Sequence, residues 1–180
     1  ALNVMLDFES LSLESNAVLL SLGACTFNPD TGEILDTFYA AIDPRTQPGR
    51  DINADTVLWW LKQDQAARDK LTGAVESTDK LAEAGDETTE DEMTELLETA
   101  AHPIQHVARA FIVWLEQMGE YDGVWSNGAV DHNWLDSMIK YAGYKNPVPF
   151  WKQRDYRTIK ALNPDVKASA FGVAHNALDD

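Results

Sequence analysis

Three apolar segments at the start of the chain have the pattern of β-strands. Residues 3–8 are mostly apolar and end in acidic side chains, and residues 17–27 form an almost continuous apolar run. A run of this kind is typical of a strand that is buried on both faces. Residues 34–42 alternate apolar and polar positions, and a turn sequence at residues 28–32 precedes them. The pattern predicts a three-stranded meander in which the second and third strands form a hairpin.

Helical periodicity then replaces the alternation. It predicts a helix over residues 55–71, with Val57, Leu58, Leu61 and Ala66 on its apolar face, and a helix over 103–118 that Gly119 ends. The remaining predicted elements are a strand at 123–126, a helix at 130–141, a strand at 150–156, a short helix at 158–162 and the first turns of a helix at 174–180. Together they predict an α/β fold in one domain, residues 1–180, with a mixed five-stranded sheet flanked by helices.

Negative charge is concentrated in one part of the chain. The 180 residues hold 14 basic and 30 acidic side chains, a net charge of −16. Residues 76–98 alone contain ten acids and one base, and they have few aromatic side chains. We interpret residues 73–102, approximately, as an acidic surface insertion that is partly helical or disordered.

Composition excludes several classes of protein. Cys25 is the only cysteine, so the chain has no internal disulfide and no cysteine-based zinc site. No apolar stretch reaches the roughly 18 residues of a membrane span, and residues 1–6 lack the basic lead of a signal peptide, so we expect a cytoplasmic, intracellular protein (in the host cytoplasm if a phage encodes it) without a membrane partner. A charge of −16 also argues against broad electrostatic binding to nucleic acid.

Two acids stand at the end of the first predicted strand. Asp7 and Glu9 are two positions apart, and side chains with this spacing lie on the same side of a strand. Two carboxylates on an otherwise apolar strand are costly unless solvent or a cation compensates their charge. The sequence leaves two interpretations: a cation site, or a strand that ends at Asp7 and exposes both acids to water.

Two further motifs contain groups that can do chemistry. Asp131 follows the 123–126 strand and a glycine turn, in the first turn of a predicted helix. His175 lies four residues before Asp179 and five before Asp180, so on a helix His175 and Asp179 would share a face. Each motif also has a simpler explanation, a helix-dipole contact for Asp131 and a surface position for His175.

The three motifs follow one another along the chain: Asp7 with Glu9, then Asp131, then His175 with Asp180. In this order they resemble the motifs of the DEDD exonuclease superfamily in its histidine-containing branch, the proofreading-type 3′→5′ exonucleases. The resemblance extends from Val4 to Asp180 and implies a ribonuclease H-like fold. The pair Trp59-Trp60 and the segment 150–158 are similar to the phage exonuclease A type and its bacterial exoribonuclease relatives.

The resemblance also implies a mechanism. Asp7, Glu9, Asp131 and Asp180 would hold two divalent ions, Mg²⁺ or Mn²⁺, and His175 would be the general base. Carboxylate oxygens suit such hard cations, and an imidazole accepts protons near neutral pH. Asp179 is a rival to Asp180 as the last ligand. The implied activity is stepwise hydrolysis of single-stranded 3′ ends to nucleoside 5′-monophosphates.

Other residues are candidates for contacts with the substrate. Trp59 and Trp60 are adjacent on a helix, so we expect one to be in the core and the other to stack on a base. The further candidates are Phe8 for stacking, Ser10 and Asn127 for polar contacts, and Arg154 and Arg157 for phosphates.

Three questions stay open at this point. The alternative function is a non-catalytic acidic module that mimics DNA or binds a basic partner. The partner of an exonuclease would be a single-stranded DNA or RNA 3′ end, and the sequence does not distinguish the two. The resemblance allows a homodimer, but no self-complementary patch is evident.

Overall fold

One five-stranded sheet organises the protein. The computed structural model describes residues 1–167 and 174–179. Strands β1 (Asn3–Ser10), β2 (Leu19–Phe27) and β3 (Ile34–Ala41) form the antiparallel meander. Strands β4 (Gly123–Ser126) and β5 (Gln153–Asp155) continue the sheet on the other side of β1, parallel to it. The strand order is β3-β2-β1-β4-β5, so β1 is central and the sheet is mixed, as predicted.

Six helices accompany the sheet in the part of the chain that is described. They are α1 (Ala54–Leu61), α2 (Gln65–Glu83), α3 (Glu90–Thr99), α4 (Ile104–Met118), α5 (Ala129–Tyr141) and α6 (Tyr156–Leu162). Helices α4 and α5 cover the sheet face that carries Leu6 and Leu22, where Phe111 and Leu135 are fully buried. None of these six helices is long and apolar enough to cross a membrane.

Because its even-numbered residues fill this core, β1 presents its odd-numbered residues on the opposite face. Val4, Leu6 and Phe8 are at most 4% exposed. Side chains alternate along a strand, so Asp7 and Glu9 lie together on the other face. The fold therefore places both acids on one side of its central strand.

The predicted helix over residues 55–71 is wrong as a single element. Helix α1 ends at Leu61 and α2 begins at Gln65, with a turn between them. Leu58 and Leu61, predicted to be buried, are 55% and 61% exposed. The buried side chain of α1 is Trp60, whose indole N–H donates to the Ser10 carbonyl oxygen at 2.8 Å. This hydrogen bond turns the Trp60 side of α1 toward the core. The spacing of the aliphatic residues had predicted that the side with Leu58 and Leu61 faces the core.

Two other boundaries also differ. The strand predicted at 150–156 is only β5, because a 3₁₀ turn (Phe150–Lys152) occupies its first half after Pro149. The described residues 174–179 form turns and not the start of a helix, and His175 has a φ of 63°. A left-handed residue interrupts helical geometry. The predicted shared helical face of His175 and Asp179 is therefore wrong.

The acidic segment is a helical hairpin made by α2 and α3. Thr89 begins α3 with a capping box, since its side chain accepts from the Glu92 N–H and the Glu92 carboxylate accepts from the Thr89 N–H. At the base of the hairpin, Ala74 packs with Ala41 and Ala101 against the sheet. Residues 81–99 contain no buried side chain. The outer part of the hairpin is thus ordered by local structure and contributes little to the core.

We expect that replacing residues 81–97 with a short Gly/Ser bridge leaves the protein folded and preserves, on short oligonucleotides, the activity that the resemblance implies. The hydroxyls of Ser77 and Thr99 are 2.9 Å apart, so the two helices are already adjacent where the bridge would join them. The removed residues hold seven acids and no base, so substrate binding at low salt should strengthen. The measurement is the melting temperature together with the rate at two salt concentrations.

A full-length variant with those seven acids changed to Gln or Asn is the matched control, because it removes the charge and keeps the hairpin. A bridged variant that folds but is inactive, beside an active neutralised variant, would show that the hairpin itself completes the active site.

Candidate active site

Strand β1 continues past both acids to Ser10. Asp7 lies opposite Gly23 of β2, and Glu9 lies opposite Ser21. Glu9 is 8% exposed and Asp7 is half-buried. The interpretation in which the strand ends at Asp7 and water solvates both acids is therefore wrong. The two carboxylates enter the folded protein at a cost that some other group must offset.

A backbone hydrogen bond places Asp131 beside these acids. The Phe8 N–H donates to Oδ1 of Asp131 at 3.0 Å, and Phe8 lies between Asp7 and Glu9 in β1. Parallel pairing of β4 with β1 brings the start of α5 to this end of the strand. Gly128 makes the connecting turn at a φ of 127°, and its carbonyl oxygen accepts from the Ser126 hydroxyl at 2.6 Å. Three carboxylates from two elements are thereby brought to one end of β1.

Burial changes the acidity of Asp131. The side chain is 3% exposed, and burial raises the pKa of Asp131 to about 6, against the lowering effect of the Phe8 N–H and the positive charge of Arg157. Burial disfavours the ionised form, and a nearby cation favours it. A divalent cation beside Asp131 would therefore lower this pKa.

We expect Asp131→Asn to stabilise the protein at neutral pH when divalent cations are absent. The folded pKa lies above the ordinary value of 3.8, so the folded state holds its proton more tightly than the unfolded state. Ionisation of the carboxyl therefore destabilises the folded state. This destabilisation is absent below about pH 4, grows as the pH rises, and is complete above about pH 6. The difference in unfolding free energy should reach up to about 3 kcal/mol at pH 7.5.

Urea unfolding at pH 4 and pH 7.5 measures this effect, and exposed Asp122→Asn is the control, which should show no such pH dependence. An Asp131→Asn variant that is less stable than wild type at pH 7.5 would contradict the assignment. Added Mg²⁺ should reduce the difference in unfolding free energy between the variant and the wild type, because only the wild type has the carboxylate that Mg²⁺ would bind.

The segment of residues 174–179 crosses the sheet next to Asp7. Gly23 faces the Ala177 backbone, and a methyl group at residue 23 would collide with the Ala177 carbonyl. Gly23 is the β2 partner of Asp7, so the close approach brings the segment to the same end of β1. A glycine inside an apolar strand is a known sign of close backbone approach, and it was the one signal in the sequence for this contact.

His175 lies against the tryptophan pair of α1. Its ring centroid is 4.8 Å from that of Trp59 and 6.2 Å from that of Trp60, both in edge-on geometry. Trp60 is 6% exposed and Trp59 is 43% exposed, so one is in the core and the other is accessible, as predicted. His175 is thus held by an aromatic wall at the rim of the site.

Asp179 and Glu9 both influence the acidity of Tyr39. Burial raises the pKa of Tyr39, and the negative charges of Glu9 and Asp179 add to the increase. Asp179 therefore stays the alternative to Asp180 as a predicted ligand. Asp180, predicted as the fourth metal ligand, lies outside the described residues.

A cavity of about 610 Å³ opens beside Glu9. Its lining combines acids with aromatic rings, among them Glu9, Glu14, Asp55, Trp59, Trp60 and Trp134. Phe8 also borders it, but that side chain is 4% exposed and packs edge-on against Trp134, with ring centroids 6.4 Å apart. The Phe8 ring is therefore buried and its N–H contacts Asp131, whereas the Trp59 ring is accessible from the cavity.

The remaining candidates differ in position. Ser10 is buried and donates to the Ser12 carbonyl oxygen, so its hydroxyl has a structural partner. Asn127 is exposed in the turn before α5. The Arg157 guanidinium lies against Gly128, 3.3 Å from where a Cβ would be, and so reaches the turn that delivers Asp131. Arg154 donates to the carbonyl oxygens of Trp151 and Gln153, farther along β5.

Divalent metals suit the donor set at the end of β1. Its carboxylates are hard oxygen ligands, and Asp131 is a buried acid whose charge a cation would compensate. Among the described residues, however, no group of three or more His, Cys, Asp or Glu side chains is arranged to hold a metal ion. The oxygen chemistry of these acids thus suits a divalent metal, and Asp180, the fourth predicted ligand, lies outside the described residues.

The family is decided by the whole sequence. The model of the 3′-5′ exoribonuclease Rv2179c-like domain matches residues 2–180. The chain belongs to this family. It is therefore a 3′→5′ exonuclease, and the alternative of a non-catalytic acidic module is wrong.

Solved structures agree with the ribonuclease H-like fold. The nuclease domain of 3′hExo, a DEDDh family member bound to rAMP, is 19% identical with a TM-score of 0.59, over 99% of this chain and 84% of that one. A 3′-exonuclease that recognises the 3′ end of a histone mRNA stem-loop is 17% identical, with a TM-score of 0.58, and the match covers 99% of this chain and 75% of that one. Cell-death related nuclease 4 is 14% identical, with a TM-score of 0.54 over 99% and 59%. No curated protein matches the sequence.

Proposed function

We propose that this exonuclease hydrolyses single-stranded RNA from its 3′ end, with divalent metals, to nucleoside 5′-monophosphates. The observation that carries the proposal is the hydrogen bond from the Phe8 N–H to Asp131, which holds the Asp131 carboxylate against the β1 backbone between residues 7 and 9. RNA is favoured over DNA by the family description, an exoribonuclease domain.

The proposed ligands are Asp7, Glu9, Asp131 and Asp180, with Asp179 as the alternative to Asp180. Metals bound there would activate water and stabilise the oxygen that leaves the phosphorus. The protein's own contribution is to hold Asp7 and Glu9 on a rigid strand and Asp131 at a helix start, so that little reorganisation is needed on binding.

His175 is the proposed general base. It takes a proton from the water that attacks the terminal phosphodiester, and the bond from phosphorus to the upstream 3′-oxygen breaks. The aromatic wall of Trp59 and Trp60 restrains its ring from one side. Trp59, the accessible member, is the proposed platform for the terminal base.

The test is the digestion of a single strand labelled at its 5′ end, as RNA and as DNA, with Mg²⁺ or Mn²⁺ and with EDTA as control. We expect a ladder that shortens one nucleotide at a time, faster on RNA, absent with EDTA, and blocked by a 3′-phosphate. Immediate release of the 5′ label as a mononucleotide, or random internal cuts, would refute the proposal.

A further inference from the structure

Positive charge is concentrated in one region of this acidic protein. Residues 145–167 contain six basic and two acidic side chains, a net charge of +4, while the rest of the chain has 8 basic against 28 acidic ones. We call residues 145–167, which comprise the 3₁₀ turn Phe150–Lys152, β5, α6 and their flanking residues, the basic strip. A polyanion that approaches the protein is therefore attracted here and repelled elsewhere.

The basic strip also exposes two large aromatic rings. Phe150 is 78% exposed and Trp151 is 64% exposed, and their ring centroids are 5.2 Å apart in edge-on geometry. Both lie in the 3₁₀ turn Phe150–Lys152 that precedes β5, which we call the aromatic turn. Adjacent exposed rings beside positive charge are the combination that binds single-stranded nucleic acid, since bases stack on the rings and phosphates pair with the cations.

The side chain of Arg154 links the two features. Its Nη1 donates to the carbonyl oxygens of Trp151, at 2.7 Å, and Gln153, at 3.0 Å. These contacts orient the guanidinium beside the aromatic turn without neutralising its charge, because carbonyl oxygens are uncharged acceptors. Lys160, on α6, is exposed to solvent on the same strip.

One end of the basic strip reaches the active site. The Arg157 guanidinium packs on Gly128, three residues before Asp131, and the Asp155 carboxylate accepts from the Arg157 N–H at the start of α6. Strand β5 has three residues, which span roughly 10 Å, so the aromatic turn lies a short distance upstream of Arg157. A chain with its 3′ end at the carboxylates can therefore continue along the strip.

We propose that the basic strip binds the single-stranded substrate upstream of its terminal nucleotide, with bases on Phe150 and Trp151 and phosphates on Arg154, Arg157 and Lys160. This inference rests on the proposed function for the direction of the strand. It assigns Phe150, Trp151 and Lys160 a role in the binding of long substrates, and it explains how a protein of net charge −16 holds a polyanion.

Substrate length provides the test. The double variant Phe150→Ala/Trp151→Ala should lower kcat/KM for a 12-nucleotide RNA by at least about 5–150-fold, which is the loss expected for each stacking contact that is removed. A dinucleotide is too short to reach the strip, so its hydrolysis should change less than twofold. Leu97→Ala, which truncates an exposed apolar side chain (54% exposed) on α3, outside the basic strip, is the matched control and should leave both rates unchanged.

A charge variant tests the phosphate contacts separately. Lys160→Ala should weaken binding of the 12-nucleotide RNA and make the slope of log K against log salt less negative by about 0.7. Lys80 is an exposed lysine on α2, and Lys80→Ala should not change that slope. Equal losses on the dinucleotide and the long RNA, or no loss on the long RNA, would overturn the proposal.

Two further outcomes are distinguishable. The first outcome is a wild-type dimer in light-scattering measurements that Phe150→Ala/Trp151→Ala dissociates, with the same change in kcat/KM on the dinucleotide and on the 12-nucleotide RNA. In that case the strip is an interface between copies of the chain and the proposal is wrong. If the wild type cleaves neither RNA, the proposed function fails, and fluorescence anisotropy of the labelled 12-nucleotide RNA still tests binding to the strip.

Discussion

Asp7→Asn or Glu9→Gln is expected to reduce hydrolysis of single-stranded RNA by at least about 10³-fold while the fold survives. Each change removes one proposed metal ligand, and a bound metal supplies several kcal/mol of stabilisation to the developing charge, of which 1.4 kcal/mol corresponds to a factor of ten. Both side chains lie on the same side of the central strand, so neither substitution disturbs the apolar core on the opposite face.

The measurement is the single-turnover rate at saturating Mg²⁺, with circular dichroism to confirm folding. Glu14→Gln is the matched control, because Glu14 borders the same cavity and the change removes one negative charge from it without altering β1. The control should retain its rate within about threefold, the range expected when only a weak long-range interaction is lost. Near-normal turnover in Asp7→Asn or Glu9→Gln would remove the basis of the assignment.

His175→Ala is expected to slow cleavage by about 10²–10⁴-fold, the usual contribution of a positioned general base, and to leave Mn²⁺ binding intact. Because the base must be unprotonated to act, the pH–rate profile should lose its acid limb. His106→Ala, at an exposed position on α4, is the control and should change neither the rate nor the profile. A collapse of Mn²⁺ affinity in His175→Ala would show that His175 is a ligand and not the base.

The sequence predicted the sheet because each strand had a distinct pattern. The continuous apolar run became β2, buried on the face of Leu22 and covered near Gly23 by the last described segment, and the alternation of residues 34–42 became the edge strand β3. The spacing of Asp7 and Glu9 was sufficient to place them on one side of β1, because alternation along a strand is a local property.

The sequence did not predict the features that depend on tertiary contacts. The buried face of α1 depends on the anchoring of Trp60 to Ser10, a contact 50 residues apart in the chain. The left-handed conformation of His175 and the crossing of Ala177 over Gly23 likewise depend on residues brought together by folding. Spacing in the sequence was therefore enough to predict which acids share one side of β1, whereas the close approaches between elements, which determine how the other candidates are arranged, could not be predicted.

The central claim is that the acids of β1 and the first acid of α5 act as one divalent-cation site. The most direct test is the number of Mn²⁺ ions bound per chain, counted by electron paramagnetic resonance of the free ion during a titration. We expect two ions per chain in the wild type, loss of at least one in both Asp7→Asn and Asp131→Asn, and no change in Glu14→Gln. Wild-type protein that binds no Mn²⁺ at millimolar concentration, or an Asp131→Asn variant that binds as many ions as the wild type, would contradict the account.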